Sequence, residues 1–334
     1  MTKRFSTLDD VAKAVGMSRA QVSRALRGDP GVHPDTRKLI DKAAAELEYQ
    51  PNLAARSLVS AKSSIVGVVL GDPDNPFHIQ LARAVDRRLM AEGFDPVASL
   101  REIVDDSADA EADRWLRLRA AGLILIATPR NPSAVGKIAQ KLPCIYIGSK
   151  KIDHPRVSEI VVDDESGIRK AIKHLVSLGH SDIALLAGDT ESSANERAQA
   201  YIKVMSEERL EPIIIRGEHN SVFGRNGIDT LFKSAYRPTA IVASNDLIAV
   251  GALDRLKGMG VNVPGDVSVV GFDDIPDASN QLFSLTTLRQ DVDEQAVSAV
   301  ACLKKMLRNE GAVGERLSMP VSLIIRSSTA APRS

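Results

Sequence analysis

The sequence predicts an α/β protein that carries a small all-helical domain at its N-terminus. From Ile65 onward, short continuous apolar runs alternate with amphipathic segments. This pattern is typical of parallel strands that are buried on both faces and covered by helices. The first fifty residues contain no such runs and instead hold three short segments with helix-capping and turn signals. A length of 334 residues accommodates about two or three domains.

Charge is distributed unevenly along a chain of otherwise ordinary composition. Hydrophobic residues make up 44% and charged residues 26%, and no run approaches the roughly 18 apolar residues of a membrane span. Residues 1–62 hold eleven Lys/Arg and seven Asp/Glu, whereas the remainder holds 32 and 36. A head of net charge +4 on a body of −4 favours a polyanionic partner for the head and no membrane partner.

The N-terminus and the cysteines indicate an intracellular protein without a metal site. The chain starts with basic residues, but Asp9 and Asp10 follow and an apolar core is missing, so we expect no signal peptide and a cytoplasmic location. Cys144 and Cys302 are the only cysteines, and they are far apart, without metal-ligand spacing. We expect both to be buried, reduced thiols.

The first fifty residues predict a helix-turn-helix. Thr7 caps a helix over residues 8–15, and Gly16 ends it. Ser18 then caps a second helix that runs to Leu26, and a third helix is predicted within residues 33–49. Two short helices joined by a glycine-containing turn form the motif that places its second helix in the major groove of DNA.

The outer face of the second helix is suited to reading DNA. Arginine presents a two-pronged donor to guanine edges, and serine hydroxyls suit phosphates. The alternative is the solvated face of an ordinary three-helix bundle. This face carries Arg19, Ala20, Gln21, Ser23 and Arg24.

From Ile65 to the C-terminus the sequence predicts two α/β lobes. Continuous apolar runs that alternate with helical segments indicate right-handed crossovers and parallel sheets. The predicted strands are residues 65–70, 122–127, 143–148, 182–188, 240–244 and 267–272, and the predicted helices lie near 77–91, 164–178, 193–207, 221–234, 247–259 and 290–308.

The body contains no pattern that predicts catalysis. Neither a glycine-rich dinucleotide fingerprint nor a P-loop follows any strand, and the nucleophile-elbow and zinc-protease motifs are missing. His174 and His180 are six residues apart, which does not fit ligands on one helix face, and we interpret both as structural. We therefore predict no catalytic residue, no metal and no cofactor.

Polar side chains instead follow the predicted strands at the end where open α/β sheets bind ligands. Arginine and aspartate from different loops can share the hydroxyl groups of a small polyol, one donating and the other accepting. A loop cap or a surface ion pair is the alternative for any one of them. These residues are Asp72, Asn75, Phe77, Arg197, Asn245, Asp246, Asp273 and Asp274.

The residues of the head resemble those of a known family. The stretch TLDDVAKAVGMSRAQVSRAL, followed by VHPDTRKLIDKAAAELEYQPNLAARSL, is similar to the DNA-binding head and hinge of the lactose-repressor/galactose-repressor family of bacterial transcription regulators. The resemblance implies that Arg19, Ala20 and Arg24 face base edges and that Thr7, Ser18, Ser23 and Asn52 hold phosphates. Gln21 departs from the small residue or threonine that is common in the family.

The same resemblance implies a hinge helix over residues 51–61. In the family, two hinge helices pair in the minor groove, where a leucine at the position of Leu58 wedges between base pairs. Ala55 permits close approach and Arg56 suits a phosphate. The segment is shorter than the roughly 12–15 residues that a helix needs alone in water, so it would form only with its partner and DNA. The alternative is a plain linker.

The body resembles the regulatory domain of the same family, whose fold is that of periplasmic sugar-binding proteins. The matching landmarks are NPF, HLVSLGH, ERAQAY, SNDLIAVGAL, GDVSVVGFDD and LTTLRQD. Position by position, the resemblance implies effector contacts by Phe77, Arg197, His219, Asn245, Asp246 and Asp273. Ser149 and Lys150 stand where Asp–Arg is common, and Lys150 beside Arg197 favours a phosphate or carboxylate on the effector.

The predicted function is that of a repressor that binds a pseudopalindromic operator as a homodimer under control of a sugar, sugar phosphate or similar effector. No leucine heptad follows residue 316, so we expect a dimer and not a tetramer. The predicted domains are 1–50 (head), 51–61 (hinge) and 62–334 (body). Within the body, the lobes are roughly 62–162 with 290–322, and 163–289 with 323–330. A sugar receptor without a DNA role and an α/β enzyme with an appended head are the alternatives.

Overall fold

The computed structural model describes residues 6–26, 28–50, 63–101, 107–126, 132–188, 193–233, 237–308 and 314–333. The predicted hinge helix, 51–61, lies outside these residues. The chain separates into two compact units, residues 1–63 and 64–334. None of the helices in the described part of the chain is long and apolar enough to span a membrane.

The first unit is a bundle of three helices around its own core. The helices are α1 (Leu8–Val15), α2 (Arg19–Leu26) and α3 (Pro34–Glu46). Val11, Val22 and Ile40, one from each helix, are fully buried against one another. The predicted helix-turn-helix is therefore confirmed.

The third helix is shorter than the 33–49 segment in which it was predicted. Glu48 adopts a left-handed backbone conformation (φ 48°). The N–H of Tyr49 donates back to the carbonyl of Ala44 at 2.8 Å, which closes the end of the helix.

The N-terminal lobe of the second unit is built on a six-stranded parallel sheet. Its strands, numbered along the whole chain, are β1 (Ile65–Leu70), β2 (Asp95–Ser99), β3 (Gly122–Ile126), β4 (Cys144–Ile147), β5 (Val157–Val162) and β11 (Arg316–Met319). Their order in the sheet is β11-β5-β4-β3-β1-β2. The helices of this lobe are α4 (Pro76–Ala91), α5 (Ala108–Arg117), α6 (Pro132–Ala139) and α11 (Val292–Leu307).

The C-terminal lobe repeats this topology. Its strands are β6 (Ile183–Ala187), β7 (Ile213–Arg216), β8 (Ala240–Ala243), β9 (Ser268–Asp273), β10 (Thr286–Gln290) and β12 (Val321–Ile324), in the order β12-β10-β9-β8-β6-β7. Only β12 is antiparallel to its neighbour. The helices are α7 (Asp164–Ser177), α8 (Ser193–Glu207), α9 (Ser221–Lys233) and α10 (Asp246–Gly258), and a 3₁₀ turn spans Pro276–Ser279. The predicted α/β class with two parallel-sheet lobes is confirmed.

The chain passes between the lobes three times. The first crossing lies between β5 and α7, the second between β10 and α11, and the third between β11 and β12. The N–H of Asp163 in the first crossing donates to the carbonyl of Met319 in the third at 2.9 Å. The first and third crossings are therefore joined to each other.

Three of the four residues predicted to be structural, Cys144, Cys302 and His180, are buried, and His174 is half-buried. Cys144 and Cys302 are buried free thiols, as predicted. Burial raises the pKa of Cys144 to about 12, which keeps the thiol protonated. His180 is bonded through its ring to Thr239, Ser268 and the carbonyl of Ala330, in agreement with a structural role.

Candidate functional site: a helix face in the head and an arginine network in the body

In the head, α2 presents the residues that sequence analysis placed on its outer face. Val22 and Ala25 anchor the helix in the core. Four of the five predicted side chains are exposed and Ser23 is half-buried; the exposed ones are Arg19, Ala20, Gln21 and Arg24. An exposed face with two arginines, held by a buried opposite face, can enter a groove of DNA without loss of core packing.

The start of α2 is fixed by a capping box that sequence analysis missed. The Ser18 hydroxyl accepts from the N–H of Gln21 (3.3 Å), and the Gln21 side-chain oxygen accepts from the N–H and the hydroxyl of Ser18 (3.1 and 2.9 Å). Thr7 and Asp10 form a second box at α1. Gln21 therefore orients the helix as well as facing outward, and the Ser-x-x-Gln spacing was the available signal.

In the body, the polar residues gather where the strand order reverses in each sheet. β1 lies between β2 and β3, and β6 lies between β7 and β8, so the carboxyl ends of β1, β6 and β8 border a crevice. Asn75 follows β1, Gly188 follows β6, and Ser244 and Asn245 follow β8. The structure thus brings the predicted effector residues of the two lobes toward one region.

Arg197 is the centre of this region. The residue is 3% exposed, and its guanidinium carbon lies over the Phe272 ring, 3.4 Å from the ring centre. Its Nε donates to Asp164 Oδ1 at 2.8 Å, and its Nη1 donates to the carbonyl of Ser244 at 2.5 Å and lies 3.6 Å from Asp273 Oδ1. Within the described residues its Nη2 has no partner. The guanidinium is rigidly held, and one of its donor edges has no partner in the part of the chain that the structure describes.

Both acids around Arg197 are buried. Burial raises the pKa of Asp164, and Arg197 only partly opposes this. Burial likewise raises the pKa of Asp273 to about 6, against the opposing effects of Arg197 and of the hydrogen bond from Gln290. One guanidinium is thus matched by two carboxyl groups.

Two histidines from opposite lobes adjoin the arginine. Burial and the charge of Arg197, together with His78, lower the pKa of the half-buried His219 to about 3. Burial, more than any other cause, also lowers the pKa of His78 in the N-terminal lobe, and Arg197 contributes. Since His78 Nδ1 lies 3.0 Å from the Asp72 carbonyl, which can only accept, Nδ1 carries the proton of the neutral ring. Both imidazoles are therefore uncharged at neutral pH.

The other predicted effector residues are mostly engaged within their own lobes. Asn75 caps α4 by accepting from the N–H of Phe77 (3.0 Å), and Asn245 caps α10 by accepting from the N–H of Ile248 (2.8 Å). The ring of Phe77 is 6% exposed and belongs to the core. Asn245 Nδ2 also donates to the His219 carbonyl at 3.5 Å. These side chains set the shape of the crevice.

Among the predicted effector residues, Asp246 is the one whose side chain is most fully hydrogen-bonded within the protein. Its Oδ2 accepts from the N–H of Ile275 (2.9 Å) and its Oδ1 from the hydroxyl of Thr287 (2.6 Å), and the residue is fully buried. Burial raises its pKa well above the ordinary value. Both of its oxygens are used to join α10 to β10 and to the segment that follows β9.

Asp72 and Lys150 are half-buried in the N-terminal lobe, after β1 and β4 respectively. Asp72 Oδ1 accepts from the N–H of Asp74 at 3.2 Å. The predicted hinge contacts of Asn52, Ala55, Arg56 and Leu58 lie outside the described residues.

Four members of the network were not predicted from the sequence: His78, Asp164, Ser244 and Gln290. Asp164 was placed only as the start of a helix, and its partner Arg197 lies 33 residues further along the chain. The signal for His78 was its position directly after the NPF landmark. Ser244 and Gln290 lay inside the landmarks SNDLIAVGAL and LTTLRQD, but no spacing in the sequence joins them to Arg197.

Two family descriptions match the chain. Residues 7–52 match "Bacterial regulatory proteins, lacI family", and residues 172–329 match "Periplasmic binding protein-like domain". The first match covers the three helices of the head, and the second covers most of the C-terminal lobe.

Relatives and solved structures align over nearly the whole length. The lactose operon repressor of Escherichia coli (strain K12) is 31% identical over 331 residues, 98% of this chain and 91% of that protein. The ribose operon repressor of Bacillus subtilis (strain 168) is 28% identical, with 97% and 99% covered. A crystal structure of the lac repressor dimer bound to operator and the anti-inducer ONPF has a TM-score of 0.87 at 30% identity, with 98% and 100% covered. The chain belongs to the lacI family of bacterial regulatory proteins.

Proposed function

We propose that the protein is a transcriptional repressor that binds a pseudopalindromic operator as a homodimer. An effector bound in the body changes its affinity for the operator. The exposed face of α2, with Arg19 and Arg24 opposite a buried anchor, is the observation that carries the proposal. We assign residues 1–50 to DNA binding, 51–61 to the hinge and 62–334 to effector binding and dimerisation. The protein acts by binding and not by catalysis, in the cytoplasm on nucleoid DNA.

DNA contacts divide into those that specify and those that position. Arg19, Ala20, Gln21 and Arg24 face base edges in the major groove. Thr7, Ser18, Ser23 and Asn52 hold phosphates, and Ala55, Arg56 and Leu58 act in the minor groove at the centre of the operator. Because Thr7 and Ser18 also cap helices, they fix the angle at which α1 and α2 meet the DNA.

A palindromic duplex selected from a random pool tests the DNA-binding proposal. We expect affinity to fall steeply with salt because phosphate contacts release counterions. Arg24→Ala should cost ~1–3 kcal/mol on the selected site and relax preference at one base pair. Lys42→Ala removes the same charge from exposed α3, where Lys42 pairs with Glu46, and should leave the preference unchanged. Equal effects of the two substitutions on preference would exclude α2 as the reading helix.

The effector proposed for the body is an uncharged polyol such as a sugar. The free Nη2 edge of Arg197 donates, and the second oxygen of Asp273, which has no partner among the described residues, accepts. This pair matches two neighbouring hydroxyls. Two buried carboxyl groups oppose an anion beside Arg197, and the two neutral imidazoles add no positive charge to attract one. The arrangement therefore favours a sugar over the sugar phosphate that Lys150 suggested. Asn75, Phe77, His219, Asn245, Asp246 and Asp72 complete or support this site.

The body carries large apolar side chains that are exposed and available for a dimer surface. Met90, Leu100, Leu282 and Ile325 are each more than 60% exposed. Exposed apolar groups of this size are typical of an association surface when they are contiguous. Two heads on one dimer are also what a two-fold symmetric operator requires.

A further inference from the structure

Two buried glutamines extend the Arg197 network across the boundary between the lobes. Gln290 ends β10 in the C-terminal lobe and is 6% exposed, and Gln295 lies in the first turn of α11 in the N-terminal lobe and is 1% exposed. Gln290 Nε2 donates to Asp273 Oδ1 at 2.6 Å. Gln295 Nε2 donates to Gln290 Oε1 at 3.3 Å. An unbroken path of buried hydrogen bonds therefore leads from the effector site into the other lobe.

The direction of each bond along this path is determined. An ionised carboxylate only accepts, so the Gln290 amide must turn its NH₂ toward Asp273 and its oxygen away from it. That oxygen is buried and requires a donor, which Gln295 supplies. The orientation of Gln295 thus depends on whether Asp273 is available as an acceptor. The first bond is charge-assisted and therefore the stronger of the two.

The same network holds the first crossing between the lobes. Asp164, which accepts from Arg197, begins α7 directly after that crossing. Asp273 lies on the other side of Arg197 and reaches the second crossing through Gln290. A shift of Arg197 or Asp273 toward a bound molecule therefore acts on two of the three connections between the lobes.

We propose that Asp273, Gln290 and Gln295 form a relay through which a molecule bound in the effector site alters the stability of the first turn of α11. The relay rests on the proposed function only in placing the effector at Arg197 and Asp273. A ligand hydroxyl that donates to the second oxygen of Asp273 shares the charge of the carboxylate and so weakens the charge-assisted bond from Gln290. This loosens Gln295 and frees the first turn of α11, the helix that packs against α4. Gln290 and Gln295 are positioning residues that act through Asp273.

Hydrogen exchange followed by mass spectrometry on the full chain, without DNA or ligand, tests the relay. Asp273→Asn weakens the charge-assisted bond, and we expect the amides of residues 295–299 to exchange about five-fold faster. Gln290→Met already breaks the hydrogen-bond path. In that background Asp273→Asn should therefore cause no further increase in the exchange rate of these amides. Thr287→Val removes another buried hydrogen bond from β10 and should leave residues 295–299 unchanged.

A second variant cuts the path from the other lobe. Gln295→Met should speed exchange at residues 274–278, which follow Asp273, and this keeps the test valid if Asp273→Asn does not fold. The relay is refuted if Asp273→Asn leaves α11 unchanged, if its effect persists in the Gln290→Met background, or if Thr287→Val acts equally. Operator binding by the same preparations is measured separately, so failure to bind DNA contradicts the proposed function and not the relay.

Discussion

Asp273 occupies a backbone conformation that aspartate rarely adopts. Its φ is 114°, and that of Asp274 is 58°, and such conformations cost of order 1–3 kcal/mol each. Asp274 accepts from Arg289 Nε at 2.6 Å and from Arg326 Nη2 at 2.7 Å. These two ion pairs stabilise the strained end of β9, next to the Asp273 carboxylate that lies 3.6 Å from Arg197 Nη1.

The raised pKa of Asp273 predicts a pH dependence of stability. Burial raises this pKa to about 6 in the folded protein, whereas an aspartate in an unfolded chain titrates near ~3.9. Between these values the folded protein keeps a proton that the unfolded chain has lost. Stability from this group is therefore fully present below about pH 4 and is lost as the pH rises to about 6. The raised pKa values of Asp164 and Asp246 act in the same direction.

Urea denaturation of wild type and Asp273→Asn between pH 4 and pH 7 measures this contribution. The free energy of unfolding of the wild type, relative to the variant, should decline by about 3 kcal/mol across the range, since one pKa unit corresponds to ~1.36 kcal/mol. A difference that stays constant with pH, or that grows as the pH rises, would show that Asp273 is not buried as the structure has it.

At the scale of the elements, α9 and α10 approach each other through glycines. A Cβ on Gly251 would lie 2.0 Å from the carbonyl oxygen of Ser221, and one on Gly224 would lie 2.2 Å from that of Ile248. Backbone faces backbone at both points, so no side chain can move aside. This contact positions Asn245, which caps α10 beside the arginine network.

Gly251→Ala should therefore destabilise the C-terminal lobe. Overpacking of this kind costs about 1–3 kcal/mol, measured as a lower urea midpoint at unchanged slope. Gly258→Ala is the matched control, because it lies on the same helix and its Cβ would meet nothing within 4 Å. The control should be neutral or gain up to ~1 kcal/mol from helix propensity. If both substitutions cost the same, the close contact is not what limits the packing of these helices.

The elements that could be predicted from sequence are those whose signals are local. All six apolar runs are inner strands, and α1 has its predicted bounds because Thr7 and Gly16 mark both ends. The other six strands were missed, namely the edge strands β2, β7, β11 and β12 and, next to an edge, β5 and β10. The pattern of β2 and β10 is weak, since β2 begins Asp-Pro and β10 reads Thr-Thr-Leu-Arg-Gln. The helices α5 and α6 were missed as well, and both are short. Edge strands are specified by their neighbours and not by their own residues.

At the scale of the whole molecule, the two lobes share one strand order but contribute unequal numbers of residues to the site. Arg197 and Asp273 were predicted because each lies within a landmark, ERAQAY and GDVSVVGFDD respectively. Their partners Asp164 and Gln290 were not, because both lie where the chain crosses between lobes, a position that exists only in the folded body. The sequence therefore predicts which residues carry the chemistry of the site. The tertiary fold determines that these residues bond to the segments where the chain crosses between the lobes.

The charge balance of the site predicts which molecules the whole protein responds to. A neutral sugar gains hydrogen bonds from Arg197 and Asp273, whereas a phosphate beside them meets two carboxyl groups that share one guanidinium. Thermal unfolding of the full chain with D-ribose, D-galactose and cellobiose, each against its phosphate ester, distinguishes the two classes.

We expect at least one neutral sugar to raise the apparent stability, by about 2.7 kcal/mol at a hundred times its Kd, and its ester to have a smaller effect. Asp273→Asn should abolish the response. Asp229→Asn, which removes an acid paired with Arg255 between α9 and α10, should retain it. A sugar that stabilises the protein should also change operator affinity by roughly 5–150-fold, since coupling between two sites is ~1–3 kcal/mol. A larger response to the phosphate ester than to its parent sugar would contradict the assignment, because the buried acids would then have to be protonated or displaced to admit it.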